Sequence, residues 1–232
     1  MCWIIVITVI CLILFMVWAS ADIGSNIYLK TLCKGKTTRK VITLTFDDGP
    51  HPENTPQVLD VLKENNIRAT FFLIGKNVEK HPEIVERMLN EGHTIANHTY
   101  SHSGQFPASS SRKVEQELAA CDEAIEKVTG KRPLLFRPPF GVTNPIIGKA
   151  ARKRGYMTIG WSIRSLDTIG SRSRQDVCDK VIDKLHPGAI ILLHDRCDDA
   201  GTLLKGIIAA GKERGYSFVS LEELLKIDAY ED

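Results

Sequence analysis

The opening stretch of this sequence has no charge at all. From Met1 to Ala21 there is no Asp, Glu, Lys or Arg, whereas charged residues make up 25% of the whole chain. An excess of either sign is also missing: 30 Lys and Arg against 28 Asp and Glu leave a formal net charge of +2. That is well short of the basic surplus of a nucleic-acid-binding domain, so no nucleic-acid partner is expected. No Gly-rich phosphate loop follows an early apolar run, because the turn after Phe46 reads Asp47-Asp48-Gly49-Pro50. An acidic turn repels phosphate, which argues against nucleotide handling. Internal repeats, low-complexity tracts and further long apolar runs are absent too. A disordered chain, a collagen-like chain and a multi-span membrane protein are thereby excluded.

The uncharged stretch is itself informative. Trp3 to Trp18 is almost wholly apolar and is followed by Ala19-Ser20-Ala21, the pattern of a secretory apolar region with a small-residue cleavage site. About 20 apolar residues also suffice to cross a bilayer, so residues 1–21 read as a signal peptide or a membrane anchor. A buried core helix is disfavoured because apolar side chains occupy every face. The rest of the chain is expected to be exported, either secreted or held at the cell membrane on its outer side. Beyond this segment four cysteines remain, Cys33, Cys121, Cys178 and Cys197. They allow two disulfides in three pairings, and their irregular spacing is unlike a zinc ribbon. They are read as structural or free thiols.

Residues 22–39 read as a polar linker with a charged end. From Val41 onward, short apolar runs alternate with helix-like segments. The predicted strands are Val41 to Phe46, Ala69 to Leu73, His93 to Ala96, Leu134 to Phe136, Tyr156 to Gly160, Ala189 to Leu193 and Ser217 to Val219. The predicted helices run over Thr55 to Asn65, Pro82 to Asn90, Ser111 to Thr129, Pro145 to Arg154, Arg174 to Leu185 and Gly201 to Arg214. Strict alternation implies parallel pairing with right-handed crossovers. About seven parallel strands in residues 40–227 suggest one α/β domain, either a barrel or a doubly wound sheet, followed by a short tail at 228–232. In both architectures reactive groups gather at the C-terminal strand ends.

Several titratable residues fall at those ends. Asp47 and Asp48 follow the first strand, His98 and His102 the third, Arg137 the fourth, and His194 the sixth, while Asp167 lies in the loop after Trp161. Two histidines four apart face the same side of a helical turn and can share a cation. With one Asp they make an open, three-ligand site of the catalytic kind. Neighbouring side chains on an extended segment diverge, so one of Asp47 and Asp48 can ligate while the other faces bound water. Arg137 is the candidate to relieve their repulsion. A carboxylate such as Asp167 on one nitrogen of His194 would raise its basicity and ready it to donate a proton. The blander readings are a turn-capping Asp47 and an interior His194. His51, His81, His93 and His186 receive no role, although His51 could line the rim.

Taken in order, Thr45-Phe46-Asp47-Asp48-Gly49-Pro50, His98-Thr99-Tyr100-Ser101-His102, Arg137-Pro138-Pro139-Phe140, Trp161 through Asp167, and Ile191-Leu192-Leu193-His194 resemble the five motifs of the NodB-homology polysaccharide deacetylases, carbohydrate esterase family 4. The resemblance spans about Lys40 to Ile227. It implies a distorted (β/α) barrel that removes N-acetyl groups from a peptidoglycan or chitin-like glycan with a divalent metal, most often zinc and sometimes cobalt. It also implies Asp48, His98 and His102 as metal ligands and Asp47 as general base held by Arg137. His194 would be the general acid, supported by Asp167. Substrate contacts would come from the backbone N–H of Phe140 and from Trp161, Ile191 and Leu193 around the acetyl methyl. Where the family's fourth motif reads Asp-x-x-Asp-Trp, this chain has Arg164-Ser165-Leu166-Asp167-Thr168, and Arg164 is expected to meet an anionic substituent. The alternatives are an O-acetyl esterase on a glycan such as xylan and a non-catalytic glycan-binding module.

Overall fold

The run Val41–Asp47 is buried at all seven positions, as a strand covered on both faces must be. It lies at the middle of the sheet in a computed structural model that describes residues 2–231. The strands are β1 (Thr31–Leu32), β2 (Val41–Asp47), β3 (Thr70–Leu73), β4 (Thr94–Asn97), β5 (Leu135–Phe136), β6 (Met157–Ile159), β7 (Ile163–Arg164), β8 (Ile190–His194) and β9 (Ser217–Phe218). The helices are α1 (Cys2–Ala21), α2 (Asn54–Glu64), α3 (Gly75–Lys80), α4 (Pro82–Asn90), α5 (Ser111–Thr129), α6 (Pro145–Lys153), α7 (Arg174–Asp183), α8 (Ala200–Glu213) and α9 (Leu221–Leu225). Their order in the sheet is β1-β6-β5-β4-β3-β2-β8-β7, with β9 pairing beside the start of β2. Every pairing between these strands is parallel. The path curls without joining β7 to β1, so the α/β barrel is a half-barrel with helices around it.

Alternation along the strands sorts the core into two layers. Leu44, Phe46, Ile191 and Leu193 pack outward against Val58 and Leu62 of α2, Val181 of α7 and Leu204 of α8. Phe72, Ala96, Leu135, Ile159 and Ile190 cluster separately with Leu221 and Ala229 from the C-terminal end of the chain. Serine and asparagine side chains start several helices by accepting the first free amides: Ser110 for α5, Asn144 for α6 and Ser173 for α7.

The segments on either side of the expected domain are packed onto it. In residues 22–39, expected as a polar linker, Ile23, Leu29 and Thr31 are buried, β1 pairs with β6, and the Gly35 amide donates to Gly188 O at 2.8 Å. In the expected C-terminal tail, Ala229 O accepts from Leu134 N and Tyr230 Oη accepts from Ile95 N at 2.8 Å. The seven expected strands are all present among the described residues, as β2, β3, β4, β5, β6, β8 and β9, and the short β1 and β7 join them in the sheet. Among the described residues Cys11, Cys33, Cys121, Cys178 and Cys197 are free thiols.

Candidate active site

Strand register decides which side chains meet. Asp47 pairs with His194 across β2 and β8, so the two stand on neighbouring strands about 5 Å apart along the hydrogen-bonding direction. On the other side of the sheet, Asn97 pairs with Phe136, which brings His98 and Arg137 out at the same height. A cavity of about 240 Å³ opens at these ends, lined by Asp47, Asp48, His98, His102, His194, Phe140, Trp161, Leu192, Arg164 and Arg196.

One carboxylate and two imidazoles converge in it. Ligand atoms of Asp48, His98 and His102 all lie within 4.8 Å of one another. His98 Nε2 and His102 Nε2 stand 3.5 and 3.3 Å from Asp48 Oδ1. His98 Nδ1 donates to the Arg137 carbonyl at 2.7 Å, which leaves the Nε2 lone pair facing the cavity, as a metal-ligating imidazole requires. Asp48 Oδ1 is buried with no hydrogen-bond donor. An orphaned carboxylate oxygen facing imidazole lone pairs is the donor set a divalent cation satisfies. Burial would raise the Asp48 carboxyl, but His98, His102 and the Arg196 guanidinium, whose Nε reaches Asp48 Oδ2 at 2.7 Å, hold it well below the usual range. Burial pushes His102 down from its ordinary value.

The turn that presents the histidines rests on buried polar groups. Thr99 N–H donates to Asn97 Oδ1 at 2.8 Å, and Asn97 Nδ2 donates to Asp122 Oδ1 at 2.7 Å and Tyr156 Oη at 3.0 Å. Asp48, Thr99, His102, Phe140 and Leu166 all have positive φ, between 47° and 76°. Five non-glycine residues in this costly region around one cavity mark backbone held against its preference at a working site.

Asp47 is fixed from below. Fully buried Arg137 donates through Nη1 to Asp47 Oδ1 at 2.6 Å and to Thr45 Oγ1 at 3.0 Å, through Nε to Ile159 O at 3.1 Å and through Nη2 to Gly160 O at 2.8 Å. The other oxygen, Asp47 Oδ2, lies 3.7 Å from His98 Nε2. His194 is fixed from behind: Asp167 accepts from its backbone N–H and pairs with its Nδ1, both at 2.7 Å. Burial lowers the His194 pKa, but the hydrogen bond and charge of Asp167, with Asp47 and Asp48 beyond, leave it raised.

Ile191 and Leu193 do not line the cavity; they lie in the core between sheet and helices, and Leu192 takes that place. Phe140, Trp161 and Arg164 line the cavity. His51 turns away, its Nδ1 accepting from the Asn54 amide at 3.3 Å. Arg196, Asn97 and Asp195 were not anticipated. Asp195 is wholly buried, accepts from Thr55 Oγ1 at 2.6 Å, and sits where any Cβ on Gly49 would strike it. Burial pushes its carboxyl up to about 7. Each of the three adjoins a residue that sequence reasoning did select.

A family model described as polysaccharide deacetylase matches residues 34–159. The chain is 37% identical over 194 residues to the peptidoglycan-N-acetylmuramic acid deacetylase PdaA of Bacillus subtilis, covering 82% of this chain and 73% of that protein. It is 39% identical over 191 residues to a peptidoglycan-N-acetylglucosamine deacetylase of Bacillus cereus, covering 81% and 89%. The solved structure of the Bc1960 peptidoglycan N-acetylglucosamine deacetylase superposes with a TM-score of 0.79 at 33% identity, over 86% of this chain and 94% of that one. With motifs, half-barrel and relatives in agreement, the chain belongs to the polysaccharide deacetylase family of hydrolases.

Proposed function

We propose that the protein is an exported, metal-dependent N-deacetylase that hydrolyses acetamido groups on peptidoglycan and releases acetate. The observation that carries this reading is the Asp48, His98 and His102 cluster lying beside a braced carboxylate, Asp47, and a braced imidazole, His194. A divalent cation in that cluster, zinc or cobalt, would polarise the amide carbonyl and acidify a water molecule.

The chain's own groups account for the proton movements. Arg137 occupies Asp47 Oδ1 and leaves Oδ2 towards the cavity, where it takes the proton of the attacking water as general base. The backbone N–H of Phe140 is the donor for the developing oxyanion. Asp167 occupies His194 Nδ1, so Nε2 carries the proton that the departing amine receives. An amine leaves poorly without that proton, and the Asp167 carboxylate, which raises the His194 pKa above its ordinary value, favours the charged form of the acid. Trp161 and Leu192 form the apolar wall for the acetyl methyl.

Peptidoglycan is favoured over neutral chitin-like glycan by the relatives' names and by Arg164. That side chain is exposed, lines the cavity, and pairs with no carboxylate among the described residues. A guanidinium so placed suits the lactyl carboxylate of a muramic acid residue. The test is acetate release from peptidoglycan and from chitooligosaccharides, with and without chelator. Chelator-sensitive release, recovered on adding zinc, is expected. Release that survives full removal of metal, or activity on acetyl esters alone, contradicts the proposal.

A further inference from the structure

Helix α1 is apolar on all sides but not free at both ends. Over Trp3–Ala21, 19 residues, the mean hydropathy is 2.8 and 6% of the most apolar window is buried. At about 1.5 Å per residue such a helix rises ~28 Å, close to the hydrocarbon thickness of a bilayer. Trp3 and Trp18, both exposed, stand near its two ends, where interfacial aromatics belong.

The last turn is built into the barrel. Ala19 is fully buried, and its carbonyl accepts from Ser25 Oγ at 2.8 Å and Thr143 Oγ1 at 3.3 Å. The Ser20 carbonyl accepts from the Thr143 amide at 3.0 Å. Directly beyond the helix, Ser25 N–H donates to Asp22 O at 3.0 Å, and Ile23 is buried beside Gly160. No flexible spacer separates helix from domain. Thr143 lies two residues after the Pro139–Gly141 turn that carries Phe140. Asp22, Ile23 and Gly24 line a cleft that shares Trp161 and Arg164 with the reaction cavity. The helix therefore leaves the domain beside the cleft that shares Trp161 and Arg164 with the reaction cavity.

We infer that α1 stays on the mature protein as a membrane anchor, and that its docked last turn holds the reaction cavity close to the bilayer, so the enzyme acts on membrane-proximal glycan. For the reaction this rests on the deacetylase reading above; for the geometry it rests on the docked turn alone. Cleavage after Ala21 would remove Ala19 and Ser20, leaving the Thr143 amide and the Thr143 and Ser25 hydroxyls without these acceptors. A disposable signal contributes nothing to the mature fold, whereas two residues of this one complete it.

The test uses the full chain isolated from cell membranes and reconstituted in phosphatidylcholine vesicles. The vesicles carry an N-acetylglucosamine oligosaccharide joined to lipid either directly or through a long polyethylene glycol spacer. Three results are expected: a mass that includes residues 1–21, exchange of the Thr143 amide slowed about tenfold or more relative to Ala19→Arg, and faster deacetylation of the directly tethered glycan. A mature N-terminus at or beyond Ala19, unprotected Thr143, or equal rates on the two tethers would overturn the inference. Turnover of soluble peptidoglycan fragments in the same vesicles separates the two claims. Its loss contradicts the deacetylase reading, while its presence with equal tethered rates contradicts only the anchor geometry.

Discussion

Replacing Arg137 by methionine keeps most of the side chain's reach and removes its charge. In the native protein that guanidinium is fully buried and donates to Asp47, Thr45, Ile159 O and Gly160 O. Asp47 is only 4% exposed, so the substitution leaves a carboxylate without a counter-charge in the interior, a change that costs about 3–5 kcal/mol. The two carbonyls and the Thr45 hydroxyl lose charged donors as well, each loss being on the order of 1 kcal/mol and not additive with the first. A net destabilisation of about 4–6 kcal/mol corresponds to a fall in Tm of roughly 10–20 °C for a domain of this size. Arg137→Lys restores the charge but cannot reach all four acceptors, so its Tm should fall between the two. Calorimetry on the three proteins, with and without zinc, reads this directly. The deficit of the methionine variant should narrow when a cation is bound beside Asp47. A fall in Tm below about 4 °C, or a lysine variant no better than methionine, would refute the argument that Arg137 compensates Asp47.

Further outcomes follow from the same geometry. Asp167→Asn removes the charge that overcomes burial at His194; kcat/KM should fall about 10²-fold, and the alkaline limb of its pH profile should move to lower pH. Because the folded His194 pKa is raised, the stability gained from its pairing with Asp167 is fully present below about pH 6.5 and is lost as pH rises through the folded value. The Tm gap between wild type and Asp167→Asn should therefore be wider at pH 5.5 than at pH 9, and an equal gap would contradict the assignment. Arg164→Ala should lower kcat/KM on muramic-acid-containing glycan about tenfold or more and leave neutral chitooligosaccharide turnover unchanged. Equal effects on both would remove the anionic-substituent reading.

The elements that position the site were legible because each strand carries its own punctuation. The apolar run before Asp47-Asp48 and the run before His194 end in titratable residues, and their parallel pairing follows from the intervening helices. Two of the two-residue strands were not legible: Thr31–Leu32 and Ile163–Arg164 have no apolar run of their own, and tertiary pairing makes them. The missed wall residue shows where a signal lay unused. Strand residues two apart share a face, so His194, once taken to face the site, puts Leu192 beside it and Ile191 and Leu193 on the far side. The docking of residues 22–39 depends on isolated contacts such as the Gly35 amide on Gly188 O, and no periodicity announces those. Asn97 and Arg196 act through His98, Thr99 and Asp48, so only three-dimensional neighbours reveal them.

The most direct test of the account is the turnover of Asp47→Asn in zinc-loaded protein whose metal content and Tm are measured alongside. Asparagine keeps the shape of the side chain and one acceptor for Arg137 but cannot take a proton from water. The account predicts wild-type metal content with acetate release from peptidoglycan reduced at least ~10²-fold. Turnover within a few-fold of wild type at full metal occupancy would contradict the assignment of Asp47 as the base.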